Sequence, residues 1–98
     1  MTEDLATESH WTVYIVRCAD RTLYTGIAKS LSERINKHNS GKGAKYTRSR
    51  LPVTVVYAEF VDDHGSALRR EREIKRMPTA TKRDLVASYK QSLAFDTD

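Results

Sequence analysis

The chain of 98 residues has one cysteine, no long apolar run and few acids in its middle. Each scarcity excludes something. A lone Cys18 cannot close an internal disulfide, and by counting it cannot supply a zinc site built on cysteine pairs. Its natural place is as a small buried hydrophobe at the end of a strand. No stretch approaches the roughly 18 apolar residues of a membrane span. Met1 to Glu8 is polar and acidic where a secretory leader is basic and then apolar, so a cytoplasmic location is expected. Low-complexity tracts and repeats at solenoid spacing are absent, which removes disorder and repeat architectures as readings.

The shortage of acids is local. The formal charge is +4, but Glu3, Asp4, Glu8, Asp96 and Asp98 lie in two terminal stretches without a single Lys or Arg. Setting these aside leaves 17 basic against 8 acidic residues between His10 and Lys90. A small body so charged favours a polyanionic partner. Nucleic acid comes before an anionic membrane, because no amphipathic anchoring helix is evident. The expected organisation is a flexible acidic tail over residues 1–9, one folded domain over 10–90 with one core, and a flexible tail over 91–98. A monomer is the favoured state.

What is present reads as alternating strands and helices. Trp11 to Cys18 and Thr22 to Ala28 are rich in β-branched and aromatic residues, and the polar Ala19-Asp20-Arg21 link makes them a hairpin. Ser30, with Glu33 three positions on, caps a helix through Leu31, Arg34, Ile35 and His38 that stops at Asn39-Ser40-Gly41. Lys42 to Arg50 is a basic loop with room for one helical turn. Val53 to Val61 is a third strand and, from its β-branched content, the expected most buried one. Asp63 or Ser66 caps a helix carrying Ala67, Leu68, Glu71, Ile74 and Met77, which Pro78 ends. Thr79 or Thr81 opens a last helix through Leu85, Val86 and Tyr89. The order β-β-α-loop-β-α-α predicts an α+β fold, a three-stranded antiparallel sheet flanked by helices.

Several polar residues fall at apolar phases. With Ala67 at zero and about 100° per residue, Ile74 lies at about 340° and Glu71 at about 40°, inside the apolar stripe. A lone carboxylate there must be paired, neutralised or bound to a cation, and from the wheel alone a salt bridge to one of the many arginines is the plainer reading. On the preceding helix His38 shares the stripe of Leu31 and Ile35, while Arg34 rides its edge; a structural histidine and a packed surface arginine are the plainer alternatives. Tyr14 alternates with Thr12 and Val16 on its strand. Tyr24 and Gly26 share one face of theirs, and Gly26 removes a side chain where a bulge or a closely approaching ligand would need space.

Val13-Tyr14-Ile15, then Tyr24-Thr25-Gly26, then Leu31-x-x-Arg34 and a later Ala67-x-x-x-Glu71, resemble the motifs of the GIY-YIG nuclease family over roughly residues 11–87. The stretches His38 to Thr47 and Glu71-x-x-Ile74-Lys75 are similar to its small stand-alone bacterial branch, often called UPF0213 or YhbQ-like. Val13 and Thr25 depart from the motif letters, and Arg21 stands where a glycine would ease the hairpin turn.

The resemblance implies a domain over residues 10–90 that hydrolyses DNA phosphodiester bonds with little sequence specificity, in repair or processing. It also implies one Mg2+ or Mn2+ ion. Glu71 would be its sole protein ligand, the rest being water and phosphate oxygens. Arg34 would meet the non-bridging oxygens. Tyr14 would act as the base, Tyr24 as its partner or a phosphate contact, and His38 would orient Tyr14 or touch the phosphate. Gly26, Lys29, Lys42, Lys45, Tyr46, Arg48 and Arg50 are expected to track the nucleic acid, the loop glycines exposing main-chain N–H groups and Tyr46 a stacking face. DNA is the expected partner, with RNA left open. The competing reading is a binding module of the same fold without turnover.

Overall fold

The computed structural model of the chain describes the backbone of residues 10–96 and the side chains of residues 10–90. Strand β1, Trp11–Arg17, and β2, Leu23–Ala28, form the hairpin; α1, Leu31–Asn39, and a single turn α2, Lys45–Arg48, follow. Strand β3, Thr54–Val61, leads into α3, His64–Lys75, and α4, Thr79–Asp96. The sheet is antiparallel with the order β2-β1-β3. Among the described residues no helix is long and apolar enough to cross a membrane.

Local chemistry accounts for the boundaries. In the hairpin, Arg21 N donates to Cys18 O and Cys18 N to Thr22 O, both at 2.9 Å, and Arg21 takes φ 72°. That is a three-residue turn closed by a left-handed residue, where glycine is the usual choice. Asp20 steadies it by accepting from Thr22 N at 3.1 Å and from Thr22 Oγ1 at 2.6 Å. Ser30 Oγ accepts from Glu33 N at 3.4 Å to open α1, and Gly41, with φ 83°, lies just beyond its end. Of the two candidate caps of α3, Asp63 is the one used, accepting from Ser66 N at 2.7 Å.

Two expectations are corrected. The third strand is not the most buried: β1 is, with Val13, Tyr14, Ile15 and Val16 fully enclosed, whereas Phe60 on β3 is 78% exposed. β-Branched content reports that a segment is extended, while centrality is decided by which strands pair on both edges. The stretch 91–98 is not wholly a tail either, because α4 continues to Asp96. No glycine or proline interrupts it after Pro78, so loss of charge alone does not end the helix. The expected tail over 1–9 lies outside the described residues.

The sheet separates two packed layers. Val13, Ile15 and Val56 face Ala67 and Ile74 of α3, with Met77, Leu85 and Val86 completing an apolar cluster. On the other side Tyr14, Val16, Cys18 and Val53 pack with Leu31 and Ile35 of α1. Cys18 is buried just past the end of β1.

Candidate active site

The second layer holds a polar relay in its interior. Tyr14 is completely enclosed and its hydroxyl lies 2.8 Å from His38 Nε2. His38, itself 1% exposed, places Nδ1 at 2.9 Å from Thr47 Oγ1, and Thr47 Oγ1 donates to Ala44 O at 2.9 Å. The carbonyl can only accept, which sets the polarity of the whole relay. Thr47 spends its proton on Ala44, so it accepts from His38 Nδ1–H, and Nε2 accepts the Tyr14 proton. Each of its buried polar atoms is thereby satisfied, as burial requires.

Electrostatics agree with that polarity. Burial, and then the charge of Arg34, lower the pKa of His38 and keep it neutral. Burial pushes the Tyr14 phenol up to about 12, helped by Tyr24 and Glu71 and opposed by Arg34. Tyr24, Arg34 and Glu71 are therefore all within electrostatic reach of one phenol. They reach it from three elements: β2, α1 and α3.

Glycines make the space. Tyr14 and Gly26 are cross-strand partners, and a Cβ on Gly26 would lie 2.5 Å from the Tyr14 oxygen and 2.7 Å from Cζ. A Cβ on Gly43 would lie 2.8 Å from His38 Cα. Both glycines admit protein side chains, a reason different from the expected bulge, ligand approach or phosphate contact. The register irregularity in the sheet lies between Ile15 and Val16, away from Gly26.

Arg34 Nη1 donates to Ile27 O at 3.3 Å. Glu71, with its side chain 20% exposed, pairs with Lys75 Nζ at 3.4 Å, one turn along the same helix. The expected arginine partner is thus replaced by a lysine; Arg70 pairs instead with Glu59 at 2.9 Å and with Glu73. Tyr24 is half-buried, edge-on to His38 at 5.6 Å and stacked on Tyr46 at 5.9 Å.

The loop divides into two parts. Lys42, Lys45 and Arg48 are exposed, with Arg48 Nε on Gly43 O at 3.2 Å. Arg50 is occupied: it donates to Asp20 at 2.9 Å and to Tyr46 O at 2.7 Å, and lies 4.0 Å from the Tyr46 ring centre. It ties the loop to the hairpin. Tyr46 therefore already carries Tyr24 and Arg50 as ring partners. Lys29 sits 5.7 Å over the Trp11 ring and lines a shallow pocket with Arg34 and Lys37.

Thr47 and Lys75 belong to the constellation although the sequence does not single them out as site residues. Lys75 is readable as the i+4 partner of Glu71. Thr47 closes the stretch that resembles the bacterial branch, but its inward direction is not readable, because the phase of a four-residue helix cannot be set by periodicity. Among the described residues no three His, Cys, Asp or Glu side chains gather as a cation cage. The available donor is one carboxylate, which suits a hard cation completed by water and phosphate and does not suit zinc.

A sheet of this order, with two tyrosines, an arginine and a glutamate converging from separate elements, is the architecture of a GIY-YIG catalytic domain, and that family description matches residues 10–84. The chain belongs to the GIY-YIG family, in the group named UPF0213. It is 49% identical over 85 residues to a UPF0213 protein of Desulfotalea psychrophila, covering 86% of this chain and 77% of that one. A UPF0213 protein of Staphylococcus saprophyticus is 51% identical over 75 residues, covering 76% and 92% respectively. The solution NMR structure of a UPF0213 protein from Bacillus halodurans is similar with a TM-score of 0.53 at 41% identity, covering 80% of this chain and 83% of that chain.

Proposed function

We propose that the chain is a metal-dependent endonuclease acting on DNA phosphodiester bonds with little sequence specificity, in repair or processing. The observation that carries this reading is a buried Tyr14 phenol, its proton directed to His38 Nε2 at 2.8 Å, with Tyr24, Arg34 and Glu71 within electrostatic reach from three other elements. A Mg2+ or Mn2+ ion held by Glu71 would supply positive charge to the phosphate and the leaving 3′ oxygen. Arg34 would turn from Ile27 O to the non-bridging oxygens, where its planar donors match the phosphate.

Tyr14 has no exposed surface and lies within electrostatic reach of Arg34, so on this reading the attacking water gains the phenol oxygen as Arg34 turns outward to the phosphate. Tyr14 then takes the water proton as its own passes to His38 Nε2, leaving the phenol neutral and the imidazole charged. His38 and Thr47 are positioning residues in the resting chain, since both are closed to solvent. Tyr24, already at the open groove, contacts the phosphate.

The second reading is a nucleic-acid-binding module without turnover. It is favoured by the closed Tyr14, by its raised pKa and by the Lys75 partner of Glu71. Nicking of supercoiled plasmid with Mg2+ or Mn2+ decides between them. The nuclease loses activity as Glu71→Ala and as Arg34→Ala; equal rates in the wild type and both variants would leave the binding module.

A further inference from the structure

We propose that the cleft between the β1–β2 hairpin and the first turns of α4 is a nucleotide subsite. It takes an unpaired nucleotide of the substrate strand with its phosphate. This deepens the nuclease reading and rests on it, because it makes the substrate a duplex with a single-stranded flank.

The cleft has a volume of about 480 Å³, within the range of roughly 300–1,000 Å³ usual for pockets that enclose small ligands. Its floor is apolar, built from Leu23, Val56 and Val86, all members of the packed layer beneath. Its rim is cationic from both sides: Arg17 and Arg21 come from the hairpin, Lys82 and Arg83 from α4. Among the described residues no carboxylate lines it, and none of these four cations has a salt-bridge partner. Like charges brought around one concavity repel, and an anion relieves them.

Two features select an unpaired nucleotide over a duplex ridge. A duplex offers phosphates outside and hides its bases, so it would use the rim and leave the floor unused. An unstacked nucleotide supplies the apolar ring for the floor and the phosphate for the rim together. The cleft is also continuous with the catalytic constellation. Leu23 and Lys82 line both it and a groove of about 230 Å³ that contains Tyr24, Tyr46 and Lys75. Lys75 is the residue paired with Glu71. A strand crossing Tyr24 and Lys82 enters the cleft directly.

The test measures binding by the full chain without divalent ion, so that no cleavage intervenes. The probes are a blunt DNA duplex and the same duplex carrying a short single-stranded overhang. The wild type is compared with an Arg21→Asn, Arg83→Gln double variant, asparagine being tolerant of the left-handed backbone at position 21. The wild type prefers the overhang about tenfold, or ~1.4 kcal/mol. The variant loses this preference because its affinity falls further on the overhang than on the blunt duplex, which uses the rim alone, and its salt slope on the overhang is reduced by roughly 0.7 for each phosphate no longer neutralised.

A preference retained in the variant, or absent from the wild type, overturns the proposal. Amide NMR shifts on titration with 5′-phosphorylated dithymidylate provide a second readout. They move at Leu23, Val56 and Val86 if the floor is used, and shifts confined to Tyr24 and Tyr46 refute it. The two proposals fail separately. A chain that never nicks plasmid yet prefers the overhang keeps the cleft and loses the nuclease, whereas a nicking chain indifferent to the overhang does the reverse.

Discussion

The two faces of the sheet solve different problems with the same strand. Val13 and Ile15 point into a layer whose buried members, with Val56, Ala67 and Ile74, are all aliphatic. Their neighbours Tyr14 and Val16 point the other way, into a layer that encloses a phenol, an imidazole and a threonine hydroxyl. Alternation along β1 thus distributes two tasks between adjacent residues. The dry face supplies burial free energy that tolerates modest changes of shape. The polar face depends on each partner being present, because a half-satisfied buried network is worse than none.

The sharpest separation of chemistry from packing comes from Glu71→Gln on α3, the helix that also carries Ile74, which removes the carboxylate charge with little change of volume. Plasmid nicking is expected to fall about 1,000-fold, the scale of removing one preorganised electrostatic group, with the melting temperature nearly unchanged. Retention of nicking would detach the carboxylate from the chemistry. Ile74→Ala does the converse on the dry face. It costs about 2–5 kcal/mol of stability in denaturant unfolding, while nicking per folded molecule is preserved; a fall in both together would mean that the faces are not independent.

Gly26→Ala falls between. The added Cβ must displace Tyr14, at about 1–3 kcal/mol of strain, so activity drops together with stability, and calorimetry beside the nicking assay reads both. A second change, Tyr14→Phe, does not relieve the clash, because Cζ as well as the hydroxyl is in the way.

A smaller effect is pH dependence confined to the polar face. Burial and Arg34 hold His38 below its ordinary 6.5, so as pH falls the unfolded chain takes up a proton that the folded chain refuses. Its contribution to stability is complete above 6.5 and declines below it, by at most ~1.4 kcal/mol per pH unit. Tyr14 acts at the other end, where the unfolded phenol ionises from 10 and the folded one only near about 12, so stability is lost as pH rises through that window, the ionised phenol being favoured in the unfolded chain. Thermal melts of the wild type and His38→Gln should diverge in acid slope; parallel slopes would remove His38 as the cause. The smallest effect expected is from neutralising Lys42, Lys45 and Arg48, which flattens the salt dependence of DNA affinity by roughly 0.9 for each phosphate left without its cation. A slope left intact makes that loop a connection only.

Much of this is legible in the sequence because it is local. Strand alternation places Tyr14 with Val16, helical phase places Glu71 and His38 inward, and capping chemistry marks the starts of α1 and α3. What stays hidden depends on proximity across space. Arg50 reads as a phosphate contact, and only the folded chain brings Asp20, 30 residues away, to its guanidinium. Gly43 reads as a loop glycine that offers its main-chain N–H to phosphate, yet its space is taken by His38. β3 reads as central because its composition is that of a strand buried on both sides, and composition carries no information about pairing order. Lys82 is invisible as a site residue, since its importance lies in belonging to two cavities at once.

The close approach of Tyr14 and Gly26 has a consequence for anyone wishing to remodel this centre. The tripeptides around the two residues are separate words in the sequence and one object in space, so neither can be varied at leisure. A library that randomises one tripeptide while holding the other will mostly sample blocked pockets. Productive variants have to exchange volume between the two strands in a single step, giving the glycine side a methyl only where the tyrosine side yields its ring.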